Sequence, residues 1–556
     1  MDAPHSSDAV ERAHNGEISV SPDLDKLPKM NVDALGRESS ESSVFDGTAR
    51  LATDGATVLI PSPSSDPQDP LNLPTWRKAL IVGILTLYAV SGLCIISALG
   101  ALIVFIAPEY IEAGISEEAI SSLQTYPSLF LGVGNIISMP LAVAVGRRPI
   151  LLLSTLLLFV GAVLCATNQS FAWHLGARCL VSFAGAQCQA LVLLIIYDIY
   201  FLHQRASTFQ WFSSAEVLFN SSLVIASAYM AEALGWRSWY WMFSILSGIC
   251  FVLSFLFVPE TYFERPLSAY RGEISDLNTV AEPASQPLPH YGATLTDQDK
   301  RVIDIQHHKP RTFRSDLRIF AVDVNWGKTV TTLKQIVQVF WFPHVLWVAL
   351  LNGFFQGADV SIQITYGSML VSPPYNWAKT SVSLIQLGQI FIAILCLPLL
   401  GWATDKTATW MARRRRDGMH EPENRLVNLV FPLLFNLMLT ALYGDCVQNP
   451  GKYHWMLVVV TVNSYLLILL AGSTVGTTYL VDSHPMRAGA ILVVIPVTRG
   501  LVSFGLSKRT VDYIANIGAL NTFGIYTGVG FIFFLLGVGV FYHGKRMRAF
   551  CARWAV

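Results

Sequence analysis

The chain is poor in charge. Asp, Glu, Lys and Arg make up 14% of its 556 residues, where a soluble domain carries about a quarter. Hydrophobic residues reach 53%, and the mean hydropathy is +0.46. That deficit excludes an ordinary water-solvated globule and points to a bilayer as solvent. The net charge of +0 removes the electrostatic footing for a nucleic-acid partner. Eight cysteines (94, 165, 179, 188, 250, 396, 446 and 551) include no CxxC and no His/Cys ligand spacing. They read as buried thiols, with no metal and no cofactor implied. HExxH, GxSxG and paired carboxylates on an interfacial loop are also missing, which argues against a membrane enzyme. Rings of one charge sign and a filter-like motif are missing too, which argues against an ion channel.

The first fifty residues hold no apolar core of signal-peptide length, so the first membrane helix is expected to direct insertion. Through Pro70 the tail carries 13 Asp+Glu against 5 Lys+Arg and is rich in Ser, Pro and Asp. Residues 1–75 therefore read as a disordered cytosolic arm.

Apolar runs are what the chain has in abundance. Twelve are long enough to cross the hydrocarbon, at roughly twenty residues each: 79–106, 119–145, 150–167, 173–200, 208–231, 238–258, 341–371, 380–403, 426–444, 455–481, 488–511 and 522–543. A polar stretch, 260–340, divides them six and six, the arrangement of transporters built from repeated halves. The expected fold is an all-α polytopic membrane protein with bundles at 76–259 and 341–543, a cytosolic loop at 260–340 and a basic tail at 544–556. With both termini inside, sixteen basic residues flank the inner ends of the spans and five the outer ends, and that asymmetry sets the orientation. The sequon Asn168-Gln169-Ser170 then falls outside, making Asn168 a glycosylation candidate. Within the loop, TFRSDLRIF at 312–320 reads either as a short basic helix against the inner leaflet or, in preference, as a solvated linker.

Ionisable groups inside a span are expensive, so they normally face the bundle interior or water. Arg178, Glu216, Asp359 and Arg499 stand there. In the seventh span Asn352, Gln356, Asp359, Gln363 and Tyr366 are spaced 4, 3, 4 and 3, which puts all five on one helical face. Arg178, Ser182, Gly185 and Gln189 repeat that spacing in the fourth span. The fifth offers Ser213, Glu216, Asn220 and Ser227, and the eighth Gln386 and Gln389. A weaker set, Gln124, Ser128 and Asn135, lies in the second. Such stripes either pack helices together or border a shared wet cavity. Packing is the preferred reading for Ser182, Gly185 and Ser227, and the cavity for Arg178 and Asp359, where packing would demand a dry partner for a full charge. Arg499, beside Gly500 and after Pro496, fits both roles.

The two halves echo each other. Asp198 and Asp482 each stand at the inner end of a span, with Arg205 and Arg487 just beyond. Each pair could hold the cytosolic face closed as an ion pair or serve as a static helix-end contact. PLAVAVGRRPI at 140–150 and GWATDKTATWMARRRR at 401–416 are tight basic loops at matching positions. They act as topogenic signals, and their recurrence suggests a mechanical role as well.

These residues resemble those of the major facilitator superfamily, from about Asp66 to the C-terminus. The inner-loop motif of that family, G-x-x-x-D-[RK]-x-G-[RK]-[RK], is matched in its second part by Gly146, Arg147 and Arg148, and in its first part by Gly401, Asp405 and Lys406. Met139 and Val143 depart from it. Arg178, Ser182, Ala184 and Ala186 resemble its fourth-span motif. DPQDPLNLPTWRK (66–78), GWRSWYW (235–241), VPETYFERP (258–266) and EPENR (421–425) resemble the fungal members grouped with drug:proton antiporters. The fifth-span signature of the exporters is not matched, since Leu223, Val224 and Ala228 stand in its place.

The resemblance implies a proton-coupled secondary transporter of a small organic solute, exporting by alternating access and working as a monomer in the plasma membrane. Its partners would be the solute, protons and the bilayer. Glu216 and Asp359 are the candidates for proton coupling, because desolvation favours the neutral form of a buried carboxylate. Two readings stand beside it: uptake by symport or facilitation, and a receptor that senses a solute without moving it.

Overall fold

The structure is a computed structural model that describes residues 63–265, 310–320, 324–414, 422–484 and 487–553, with a two-residue strand pairing of Ala52–Thr53 and Ala56–Thr57. Most of the acidic arm lies outside the described residues. Among those described, twelve helices are long and apolar enough to cross a membrane, as the run lengths require. They are Thr75–Ser97, Ala119–Val145, Arg147–Ala166, Phe171–Ile199, Ser207–Leu234, Arg237–Phe257, Pro343–Val371, Ser381–Ala403, Pro422–Gln448, Trp455–Ser483, Ala488–Ile517 and Ala519–Cys551, the first to twelfth spans. The chain is a multi-pass helical membrane protein. Its buried apolar side chains form two large clusters. One is drawn from residues 73–258 with Leu492 and Val493, the other from residues 339–551. Each half thus packs a core of its own.

Four spans depart from continuous α-helix; the ninth opens as a 3-10 helix over Pro422–Leu429 before Val430–Gln448. The first breaks at Ala98 and continues as Leu99–Glu112. The fourth stops at Gly185, passes through a 3-10 turn at Ala186–Cys188, and resumes at Leu191. Gln189 sits in that break. The eighth runs as a 3-10 helix over Ser381–Gln386, an α-turn over Leu387–Phe391 and a π-helical turn over Ile392–Cys396 before Leu397–Arg414. Pro398, just after the wide turn, has no N–H to give the carbonyl four residues back, which is what widens a helix locally.

Small residues set where the spans meet, as expected where apolar burial gives no drive to helix association. Gly353 and Gly357 of the seventh span receive Val502 and Leu506 of the eleventh. Between the halves, Gly132 of the second span meets Gly500 of the eleventh. A Cβ at Gly500 would fall 2.7 Å from the Ser128 carbonyl oxygen and 2.9 Å from the Gly132 nitrogen.

The central segment differs from a plain loop. TFRSDLRIF forms one helical turn, Phe313–Asp316, with a capping box at Thr312 and Ser315. Asp316 ties it to Arg77 and to Arg311, each at 2.8 Å. Further on, Trp326–Phe340 is a fifteen-residue helix, capped by Asn325 and leading directly into the seventh span. Its polar average hid it; only its face pattern marks a helix.

Because backbone meets backbone at Gly500, Gly500→Ala is expected to destabilise the protein by about 1–3 kcal/mol, read as a lower thermal midpoint in detergent. Gly505→Ala, with open space around its Cβ, should leave the midpoint unchanged.

Candidate functional site

Arg178 occupies a dry pocket of acceptors. Its Nε donates to the Leu123 carbonyl at 2.9 Å, and its two terminal nitrogens to the carbonyls of Ile95 (3.3 Å) and Ile96 (3.1 Å) and to the Tyr240 hydroxyl (2.9 Å). It is 1% exposed. Ile95 and Ile96 lie in the turn before the break at Ala98, where the helix gives up regular bonding. The expectation that Arg178 borders water is therefore corrected: the arginine supplies donors to a broken first span. The planar guanidinium carries five donors in a fixed fork against three on an ammonium, and here it serves four acceptors on three other spans.

The other intramembrane charges group differently. Glu216 of the fifth span is within electrostatic reach of Cys188 of the fourth and of Arg499 of the eleventh. Arg499 belongs to the opposite half, and the two charges are close enough to influence one another without forming an ion pair among the described residues. Arg499 donates to Ser473 Oγ at 2.6 Å. Ser97 donates to Asn220 Oδ1 at 3.1 Å, joining the first and fifth spans. Ser221 donates to Gln389 Oε1 at 3.0 Å, joining the fifth and eighth spans across the halves. In the seventh span Gln363 Nε2 donates to Asp359 Oδ2 at 2.7 Å, and Tyr366 faces Gln386. No cation pairs with Asp359 among the described residues. Gln189, Glu216, Asn220, Gln356, Gln363, Gln386 and Arg499 are half-buried, so part of each side chain stays accessible. Ser182 and Asn352 are fully buried, and Asn352 bonds back to Val348 of its own helix at 3.0 Å. Those two pack helices rather than line a space. Ser97, Ser221 and Ser473 went unread in the sequence, because serines are common packing residues in membrane helices and carry no signal of their own.

At the end where the second span meets the third, the expected ion pairs re-form with other partners. Asp198 pairs with Arg147 at 3.2 Å, while Arg205 donates to the Tyr200 carbonyl at 3.0 Å and stacks over Tyr197. Asp482 pairs with Arg425 at 2.8 Å, and Arg487 lies over Phe342. Both ion pairs stay inside one half, so they brace a bundle and do not bridge the two. Glu260 takes part in the same brace. Its carboxylate accepts from the backbone N–H of Arg147 (3.0 Å) and Arg148 (3.2 Å), the unsatisfied first amides of the third span. Gly146, at φ 115°, has no Cβ to strike that carboxylate. Arg148 in turn donates to the carbonyls of Phe255 and Val258, closing the end of the sixth span. Gly401 lies against Gln210 of the other half. Lys406 stacks over Trp402, and the side chain of Asp405 lies outside the described residues.

At the opposite end, Asn168 is buried. Its amide nitrogen donates to the Tyr110 hydroxyl at 2.9 Å and its oxygen accepts from Arg237 at 3.0 Å. The atom a glycosyltransferase would modify is already engaged and covered, which corrects the sequon reading. From Tyr110 the bonds continue through His174 (3.0 Å) and Tyr240 (3.1 Å) to Arg178. Arg237 also binds Glu109 at 2.6 Å.

Two outcomes follow. Arg178→Lys leaves at least one of the four buried acceptors without a donor and is expected to cost about 1–3 kcal/mol, seen as a lower thermal midpoint. Wild type and Asn168→Gln, expressed in a glycosylating host, should migrate identically before and after endoglycosidase treatment.

Comparison with known proteins agrees with this architecture. A family model described as Major Facilitator Superfamily matches residues 88–504. An uncharacterised MFS-type transporter of Schizosaccharomyces pombe is 23% identical over 531 residues, covering 90% of each chain. A multidrug transporter of Candida glabrata is 29% identical over 147 residues, 26% of this chain and 25% of that one. The structure of the xylose transporter XylE from E. coli, in a partially occluded inward-open conformation, aligns with a TM-score of 0.51 at 15% identity, over 83% of this chain and 97% of that one. With two six-span halves, their paired cores and the family match, this chain belongs to the major facilitator superfamily.

Proposed function

We propose that the protein is a secondary transporter that carries a small organic solute across the membrane by alternating access, with export driven by protons. The observation that carries this reading is the polar contact shared between the halves: Ser221 bonded to Gln389, with Glu216 of one half and Arg499 of the other within electrostatic reach. Contacts that cross between halves can be exchanged when one bundle rocks against the other around a midplane site. The break at Gln189 supports the same reading, since irregular backbone at membrane depth is tolerated where it lines a cavity or is buried in protein. With Arg178 engaged elsewhere, Glu216, Asp359 and Arg499 leave one carboxylate in excess. Such a site favours a proton or a positively charged solute, taken in turn. The end bearing Arg147, Arg148 and Arg425 would face the cytosol of a cell whose plasma membrane holds the protein. Fungal relatives that include a multidrug transporter support export.

Uptake is the second reading. The fifth span is one continuous helix, Leu202–Leu234, with Leu223, Val224 and Ala228 in place of an exporter signature.

Purified protein in vesicles tests both. Solute found in a screen of toxic cationic compounds should show counterflow without a pH gradient and directed flux with one. Asp359→Asn should keep counterflow and the thermal midpoint while losing the response to the gradient. An intact response in that variant removes Asp359 from proton coupling and leaves Glu216→Gln as the next measurement. The sign of the gradient that drives accumulation separates export from uptake.

A further inference from the structure

The helix Trp326–Phe340 has three faces. At 3.6 residues per turn, one arc holds Lys328, Thr332, Ile336 and Val339. Thr332 and Val339 are buried, and Ile336 packs against the cores of both halves. This arc lies against the second span of one half and the eleventh of the other. Asn325, just before the helix, donates its N–H to the Ala144 carbonyl at the end of the second span. Lys328 anchors the helix to Tyr262 and Glu264 beyond the sixth span. A second arc holds Thr331, Gln335 and Gln338 and is polar.

The third arc is unlike either. Trp326, Val330, Leu333, Val337 and Trp341 fall within about 80° of one another, and each is between 40% and 70% exposed. Lys334 stands at its edge, beside the polar arc. No described residue covers this stripe.

We propose that this stripe is seated in the phospholipid interface at the basic end of the bundle, making Trp326–Phe340 a membrane-surface strap across the two halves. Position fixes the occupant. The helix runs through Trp341 and Phe342 directly into the seventh span at Pro343, and its inner arc touches the ends of two other spans, so it lies at the depth where hydrocarbon gives way to headgroups. Tryptophan at both ends suits that boundary, and Lys334 can extend its ammonium toward phosphate while its stem stays on the apolar side. A helix divided among protein, lipid and water has a side for each.

Spin labels test it on full-length protein with native cysteines replaced, in vesicles of phosphatidylcholine and phosphatidylserine. Labels at Val330→Cys and Val337→Cys should collide with oxygen several-fold more than with a water-soluble nickel chelate, and labels at Thr331→Cys and Gln338→Cys should show the reverse. Nickel-dominated collisions at all four positions overturn the proposal, and so does shielding of positions 330 and 337 from both reagents, which would mean that protein covers the stripe. Should cysteine replacement prevent folding, native protein in vesicles of headgroup-proximal brominated lipid provides the second measurement. Trp326→Phe and Trp341→Phe should each remove part of the quenched fluorescence; equal quenching in both variants and wild type overturns the proposal. None of these readings depends on transport.

Discussion

In hydrocarbon a backbone carbonyl released from its helix has no water to turn to, and this constraint orders the N-terminal half. The first span breaks at Ala98, and the turn that precedes it offers the carbonyls of Ile95 and Ile96. Arg178 fills them from the fourth span, takes the Leu123 carbonyl from the second, and reaches the sixth through Tyr240. One guanidinium thereby joins four spans. The chain of hydroxyl, imidazole and amide groups from Tyr240 to Asn168 carries the same bonding to the far end of the bundle. A matching economy governs the other end, where Glu260 and Arg148 satisfy free amides of the third span and terminal carbonyls of the sixth.

Both bundles are thus tied internally, by ion pairs that do not leave their own half. Between the halves the contacts are of another kind, among them glycine against glycine at Gly132 and Gly500 and serine against glutamine at Ser221 and Gln389. A neutral hydrogen bond contributes about a kilocalorie and a single van der Waals contact about a tenth of that, and both re-form readily with new partners. Strong ties inside each half and weak ones between them are what rigid-body rocking would need.

The number of spans and their division into halves were legible because hydrocarbon thickness dictates run length. The charge of Arg178 was legible as well, but its surroundings were not. Water and a set of carbonyls answer an arginine equally well, and those carbonyls lie 55 to 83 residues away in sequence. The same distance hid the partner of Asp198: Arg205 is nearer along the chain, yet Arg147 is delivered to it by the turn at Gly146. Asn168 satisfied a three-residue pattern that carries no information about burial. The alignment of Asp359 with Gln363 on one helical side was legible from spacing alone, and a hydrogen bond joins the two.

The π turn at Ile392–Cys396 bears on how this sequence should be compared with others. It holds one residue more than an α-turn, so a wheel drawn at a constant step from Gln386 to Gly401 goes out of phase by about 100°. Residues on either side of the π turn are displaced by about 100° from where a regular count puts them, and an ungapped superposition of the two halves loses its phase at that point. Aligning the eighth span with its counterpart in the first half therefore calls for a one-residue gap inside an unbroken apolar run, where no loop advertises it.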